Sequence, residues 1–474
     1  MKQELNLFGL STEMENKVIT RFAPSPTGTL HIGGARTALF AWLFAKSHQG
    51  KCLLRIEDTD LERSKSEHTE AIIDSFSWMD IQFDDEVIYQ SKNKEKHLSA
   101  AKSLVKSNAA YFCSCTSERL KNLREEQQKN GLKPKYDGKC RELDLKEGSD
   151  TVIRFRNPQE GSVLFTDLVK GVIEISNREL DDLIIVRSNG TPTYNLSVVV
   201  DDIDMDVTHV IRGDDHINNT PRQINIFKAL GVKEPIYGHV PMILGEDGKR
   251  LSKRHGAVGV SEYEQLGVLP DALKNYLVRL GWSLGDQEIF NHEELVNKFK
   301  EGNINNSPSA FSFEKLSWFN KEYLSQIDSE HLLSTLSSME TEFSQDDYSL
   351  EVLNLIRQRC SLMSDFSSES EYFFRDVEDY DPKAVKKCIN QQAIELLSEV
   401  LSEFESSESW KASDVQEIIE KVLSKHELGF GKIGLPLRVA LTGSINSPSI
   451  DRTAEVLGQK VVVERIQKAI KEFS

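Results

Sequence analysis

Pro24-Ser25-Pro26-Thr27-Gly28-Thr29-Leu30-His31-Ile32-Gly33-Gly34 is the stretch whose reading sets the fold. It follows an apolar, strand-like run (Val18 to Phe22) and leads into a helix-like one (Ala35 to Lys46). Leu39, Trp42 and Leu43 share a face of that helix, which stops near Gly50. Lys51 to Ile56 reads as a second strand. Strand, loop, helix, strand, with the loop after the first strand, is the opening of a doubly wound nucleotide-binding sheet. Pro and Gly impose a sharp loop, and the glycines let a bulky ligand lie against bare backbone. At a helix start such a loop offers free N–H groups and a positive dipole end to phosphate. A second run, Lys249-Arg250-Leu251-Ser252-Lys253-Arg254, lies in a loop flanked by Gly245, Gly248 and Gly256. There Lys253 can reach a polyphosphate as a point charge. Taken singly, each run is also satisfied by a bland structure: a Pro-Gly turn before a core helix, and a solvated basic loop.

In this order the two runs resemble the HIGH and KMSKS motifs of class I aminoacyl-tRNA synthetases. Arg21-Phe22-Ala23-Pro24-Ser25-Pro26-Thr27-Gly28, continuing to His31-Ile32-Gly33-Gly34-Ala35-Arg36-Thr37-Ala38, is similar to the bacterial glutamyl-tRNA synthetase family in particular. Gly34 stands where the generic motif has a second histidine, the usual form in that branch. The resemblance runs through Asn189 to Asn195 and Val207 to Gly213. It extends to Gly429-Phe430-Gly431-Lys432 and Leu435 to Gly443, which look like the family's anticodon-binding part.

Composition bounds the rest. The 474 residues exceed one core, so two to four domains are expected. No apolar run reaches membrane-spanning length, and the N-terminus lacks a long apolar stretch. The expectation is a cytoplasmic protein with no membrane contact. Six cysteines without a disulfide framework's density suit a reducing compartment. A formal charge of −17 argues against indiscriminate binding to nucleic acid. A local basic groove remains compatible with it, since fields fall off within about ten ångströms at physiological salt.

The resemblance implies an α/β fold: a Rossmann-type class I synthetase catalytic domain with an inserted acceptor-binding α/β domain, then an all-α C-terminal anticodon-binding region. The expected divisions are an N-terminal extension (1–17, with Met14 a plausible initiator) and a nucleotide-binding domain (18–97 and 194–217). Residues 98–193 would form the acceptor-end domain, 218–329 a stem-contact domain with the second basic loop, and 330–474 the helical region. Strands are expected over Thr151 to Phe155, Leu183 to Val186 and Val207 to Arg212. Thr220-Pro221 would open a helix ending at Gly231, with Thr as N-cap. Gly429 to Gly443 reads as a Gly-rich loop and an apolar stretch, and Val461 to Phe473 as a last helix.

The implied reaction is ATP-dependent activation of L-glutamate to glutamyl-adenylate, then transfer to the 3' end of tRNA(Glu), with Mg²⁺ accompanying ATP. ATP falls to Thr27, Gly28, His31, Gly33, Gly34, Arg250, Ser252, Lys253 and Arg254, with His31 and Lys253 as the catalytic pair. His31 is also explained as a simple helix cap. The glutamate side chain needs a cation, and Arg21 and Arg212 are the candidates because a planar guanidinium matches a carboxylate bidentately. Glu57 matches the family's amino-group ligand. Tyr194 and His216 match its pocket, and Ala23 and Ser25 line the same loop. Without the resemblance, Arg55, Glu57, Asp58 and Asp60 read as an exposed ion-pair cluster at a strand end.

Cys113, Cys115 and Cys140 supply three thiolates, with Glu142 as an unusual fourth ligand for Zn²⁺; three leftover reduced thiols are the alternative. Arg357, Arg359, Lys432 and Arg438 are candidates for anticodon contact or ordinary helix-surface charge. The family implies a monomer. Three competing functions are an enzyme that also charges tRNA(Gln), a nucleotidyltransferase without RNA, and a non-catalytic RNA-binding paralogue.

Overall fold

The computed structural model describes residues 17–59, 64–251, 259–300, 303–339 and 341–474. The N-terminal extension up to residue 16, Asp60, and Ser252, Lys253 and Arg254 lie outside them. Two compact units result, one of residues 1–264 and 270–313, the other of 265–269 and 314–474.

The first unit begins with β1 (Ile19–Phe22), α1 (Ile32–Ser47) and β2 (Lys51–Ile56), with β1 and β2 parallel. Helix α1 starts three residues before the expected Ala35. Two glycines in its first turn go against helix propensity. Burial outweighs them: Ile32, Ala35, Ala38, Leu39, Phe40, Ala41, Leu43, Phe44 and Ala45 are all inside, the pattern of a core helix. The return from α1 to β2 is so tight that a Cβ on Gly50 would sit 2.1 Å from the Val18 carbonyl oxygen.

After α2 (Ser66–Trp78) comes β3 (Ile88–Tyr89), parallel to β2. Next come α3 (Lys94–Lys106), β4 (Ala110–Cys113), α4 (Ser117–Lys129), β5 (Val152–Phe155), β6 (Ser162–Asp167), β7 (Gly171–Ser176) and β8 (Ile184–Val186). Strands β4, β5 and β8 form an antiparallel sheet. Then follow α5 (Tyr194–Asp204), β9 (His209–Gly213), α6 (Thr220–Ala229) and β10 (Ile236–Val240). Strand β10 lies between β9 and β6, parallel to both, and β7 pairs antiparallel to β6.

The two parallel groups meet where β9 comes up beside β1. The Thr208 N–H donates to the Ile19 carbonyl at 2.9 Å, and the Ile19 N–H donates to Thr208 Oγ1 at 2.8 Å. Strand order thus runs outward in both directions from β1 and β9, and a crevice opens at their carboxyl ends. Open α/β sheets bind ligands at such a reversal.

Helix α6 corrects the expected cap. Its N-cap is Asn219, and Pro221 falls in its first turn. Thr220 is instead the first helical residue, because its hydroxyl accepts a hydrogen bond from Arg212 Nη2 at 2.8 Å.

The second unit is helical. Leu396, Val400 and Phe404 of the helix Gln391–Glu405 pack in one core with Ile419, Leu437 and Ile466. The expected Gly-rich loop is already helical from Gly431, in a helix (Gly431–Thr442) that contains Pro436. The last helix, Gln459–Phe473, starts two residues earlier than expected. Among the described residues no helix is long and apolar enough to cross a membrane.

Candidate active site

The crevice between β1 and β9 is a cleft of ≈ 510 Å³. It is lined by Arg21, Ala23, Ser25, Thr27, Gly28, His31, Gly33, Gly34, Glu57, Tyr194, Arg212, His216 and Arg250, among others. Those residues come from the ends of β1, β2 and β9, the turn after β9, the starts of α1 and α5, the loop before α1 and, for Arg250, the basic run. Of the basic run, Ser252, Lys253 and Arg254 lie outside the described residues, while Arg250 and Leu251 line the cleft and Gly259, further along the chain, bridges to His31.

His31 is the N-cap of α1, its Nδ1 accepting from the Gly33 N–H at 3.0 Å. Capping therefore does not exclude a ligand role. An accepting Nδ1 leaves the proton of the neutral ring on Nε2, which remains a donor. Burial, reinforced by the nearby Arg250 cation, pushes the His31 pKa down. The first turn of α1 holds no acidic side chain, so nothing competes with an anion for its dipole end.

A buried chain of alternating charges runs beneath the cleft. Arg21 Nε donates to Asp202 Oδ1 at 3.1 Å, and Arg55 Nη1 donates to the same oxygen at 2.6 Å. Arg55 Nη2 reaches Glu57 Oε1 at 3.3 Å. All four are buried, Arg55 completely, so the reading as an exposed ion-pair cluster is overturned for Arg55 and Glu57. Asp58 caps the chain near β3, taking the Ser91 N–H at 2.8 Å and its hydroxyl at 2.7 Å. Burial would raise the Asp202 pKa, but the Arg21 and Arg55 guanidiniums outweigh it and hold the carboxyl below its usual range. Glu57 is pushed up by burial, with Arg55 and Arg21 opposing. A ligand ammonium here would favour its charged form.

Across the cleft, the Tyr194 hydroxyl lies 2.9 Å from His216 Nδ1. Burial and then the Arg212 cation lower the His216 pKa. Arg212 is 5 % exposed and lies over the Tyr237 ring, 5.3 Å from its centroid. Its Nη1 is buried without a hydrogen-bond partner among the described residues.

Cys113, Cys115 and Cys140 bring their sulfurs within 4.8 Å of one another. Glu142 is not with them: it is exposed and bonded to Arg156 at 2.8 Å. Two arginines, 141 and 156, draw its carboxylate outward. The oxygen beside the sulfurs is the Tyr136 hydroxyl, 3.4 Å from Cys113 Sγ and 3.6 Å from Cys115 Sγ. Burial alone would raise the Cys140 thiol, but the Tyr136 hydroxyl, the Ser114 N–H and neighbouring thiols bring it down to about 7. Three convergent sulfurs, one easily ionised, and a phenol oxygen form a donor set of the kind tetrahedral zinc takes.

Sequence reasoning missed Asp202, Tyr136 and the residues that hold Arg212. In the helical unit, Arg357 donates to the Leu324 carbonyl and Arg438 to those of Ile445 and Pro448, while Arg359 pairs with Glu369. Lys432 is exposed.

Fold and site define a class I tRNA synthetase. The model of the class I (E and Q) catalytic domain matches residues 17–318, and that of an anticodon-binding domain residues 314–470. A glutamate–tRNA ligase of Francisella philomiragia is 48% identical over 470 residues, covering 96% of this chain and 99% of its own. One of Francisella tularensis is 49% identical over 468 residues, with the same coverage. The crystal structure of a glutamate tRNA ligase from Elizabethkingia meningosepticum, in complex with its amino acid, superposes with a TM-score of 0.87. It is 30% identical and covers 97% of this chain and 100% of its own. The glutamate-tRNA synthetase of Elizabethkingia anophelis gives 0.84 at 31% identity, covering 96% and 100%. This chain belongs to the glutamate–tRNA ligase family.

Proposed function

We propose that the chain joins glutamate to tRNA(Glu) at the expense of ATP, and that the cleft between β1 and β9 performs both steps. One observation carries the assignment: two buried guanidiniums, Arg21 and Arg212, and one buried carboxylate, Glu57, line the same cleft as the phosphate-binding loop. Glutamate needs that set of charges, with its side-chain carboxylate toward the arginines and its ammonium toward Glu57. Tyr194, His216, Ala23 and Ser25 complete its surroundings. A glutamine amide would turn N–H groups toward fixed donors, and an unpaired buried group costs about 1–3 kcal/mol.

In the first step the α-carboxylate oxygen attacks the α-phosphorus of ATP and pyrophosphate leaves. In the second, a terminal ribose hydroxyl of the tRNA attacks the acyl carbon and AMP leaves. Alignment and charge stabilisation suffice for both. Thr27, Gly28, Gly33 and Gly34 give backbone access to phosphate, His31 Nε2–H donates to it, and the second loop brings the cations of Arg250, Lys253 and Arg254 and the hydroxyl of Ser252. Mg²⁺ bound with ATP neutralises charge on the leaving pyrophosphate. Zinc held by Cys113, Cys115, Cys140 and Tyr136 would pin the end of β4 to the segment after α4. The protein works as a cytoplasmic monomer, with residues 98–193 at the acceptor end, 218–329 at the stem and 330–474 at the anticodon.

Charging purified tRNA(Glu) and tRNA(Gln) with labelled glutamate, beside a Lys253→Ala control, tests the proposal. Charging of tRNA(Glu) alone, lost in the variant, is the expected result. Charging of both would assign relaxed tRNA choice, and charging of neither would refute the function.

A further inference from the structure

Arg212 is held from behind by residues that are not among those lining the cleft. His239, on β10, lies with its Nε2 3.2 Å from Arg212 Nε, and Thr220 Oγ1 is 3.0 Å from the same Nε2. On its other side, His239 Nδ1 is 2.6 Å from Asp167 Oδ2, at the end of β6. Histidine and aspartate are both fully buried, as is Thr220.

We propose that Asp167 and His239 are positioning residues for the substrate carboxylate: Asp167 fixes the His239 tautomer, and His239 then fixes Arg212. The proposal rests on Arg212 as the carboxylate ligand. Two independent constraints give the same tautomer. An arginine has donors only, so Nε2 must present its lone pair to Arg212. An ionised aspartate has acceptors only, so Nδ1 must carry the hydrogen. The other Asp167 oxygen is committed as well: Oδ1 accepts the N–H groups of Val169 and Lys170 at 2.9 Å each and of His239 at 3.1 Å. The carboxylate cannot rotate away without losing these bonds.

The consequence falls on the guanidinium. Nε is tied to His239 and Nη2 to Thr220, while the face rests on Tyr237. Only Nη1 is buried with no partner among the described residues, in a side chain that lines the cleft. The cation is aimed before any ligand arrives, which lowers the cost of ordering it on binding.

Asp167→Asn isolates the effect. The amide oxygen can still accept the three backbone N–H groups, so the turn after β6 stays closed. The amide nitrogen is then a donor facing Nδ1, the ring proton moves to Nε2, and a donor confronts Arg212 Nε. We expect the KM for glutamate to rise about tenfold or more, with the KM for ATP within about twofold of wild type. Long-range ¹H–¹⁵N spectra of ¹⁵N-histidine protein, assigned with His239→Gln, should show His239 protonated at Nδ1 in wild type and at Nε2 in the variant. Wild-type protein with the proton on Nε2 would overturn the proposal, and that readout needs no variant of Asp167 to fold. Equal effects on the glutamate and ATP constants would also overturn it. Arg212→Gln separates the two levels. If it leaves the glutamate KM unchanged, the substrate role of Arg212 falls and the proposal with it. If it raises that KM while Asp167→Asn does not, the proposal alone falls.

Discussion

Arg21 and Asp202 stand 181 positions apart in the chain and meet at 3.1 Å in the interior. Asp202 lies on α5 and Arg21 on the first strand, so the contact joins the beginning of the catalytic sheet to its later half. The same Asp202 oxygen also binds Arg55. One carboxylate thus orders two guanidiniums, only one of which lines the cleft.

Removing that charge should be costly. Asp202→Asn leaves two buried cations with an amide that can accept from only one side. We expect a loss of about 3–5 kcal/mol in urea denaturation. A higher glutamate KM should persist at temperatures where the variant stays folded. A stability change under 1 kcal/mol would show that the pair is screened by water.

The His31 cap predicts an acid-sensitive helix start. Burial and Arg250 set its folded pKa below the ordinary 6.5, so the folded state binds its proton less readily than the unfolded state. The stabilisation is complete above the unfolded pKa and is lost as pH falls through the lower folded value. The melting temperature of wild type minus that of His31→Ala should therefore shrink between about pH 7.5 and pH 5. At neutral pH the same variant should lose about 10²-fold or more in kcat/KM for ATP, the scale for one aimed donor.

Metal analysis of protein purified without chelator should find one zinc per chain. Cys140→Ser should abolish it. Tyr136→Phe should weaken retention against a competing chelator, whereas Glu142→Gln should leave it unchanged, since Glu142 serves Arg156. Retention lost in Glu142→Gln and kept in Tyr136→Phe would reverse the ligand assignment.

Gly50→Ala should destabilise by about 2–4 kcal/mol through forced backbone movement, because the new methyl meets the Val18 carbonyl at 2.1 Å. Gly28, in the phosphate loop, has nothing within 4 Å of such a methyl. Gly28→Ala should keep the melting temperature and raise the KM for ATP.

The first strands and many of the cleft-lining residues were legible because short motifs carry them. Loop chemistry, a strand before and a helix after pointed to the phosphate loop and His31, whereas Glu57 came from the family resemblance alone; the structure brings both, with Arg21, to one cleft. The supporting residues were not legible, for a physical reason. Asp201 and Asp202 follow a run of valines in α5 and look like the polar edge of a helix, yet both are buried. Their partners lie on β1, β2 and α3, and nothing local marks such pairs. Thr220 has the chemistry of an N-cap, and only the arrival of Arg212 diverts its hydroxyl. The family resemblance put Glu142 at the fourth position, but its carboxylate goes to Arg156 and Tyr136, upstream, takes the place beside the sulfurs.

The join between Ile19 and Thr208 also has a bearing on synthesis. A nascent chain that has emerged only as far as β8 carries Arg21, the phosphate loop and Glu57, but neither Asp202 nor Arg212. Its first strands have an open edge awaiting β9, and pairings over such sequence distances form slowly. The cleft therefore cannot gather its charged residues until α5 and β9 have been synthesised.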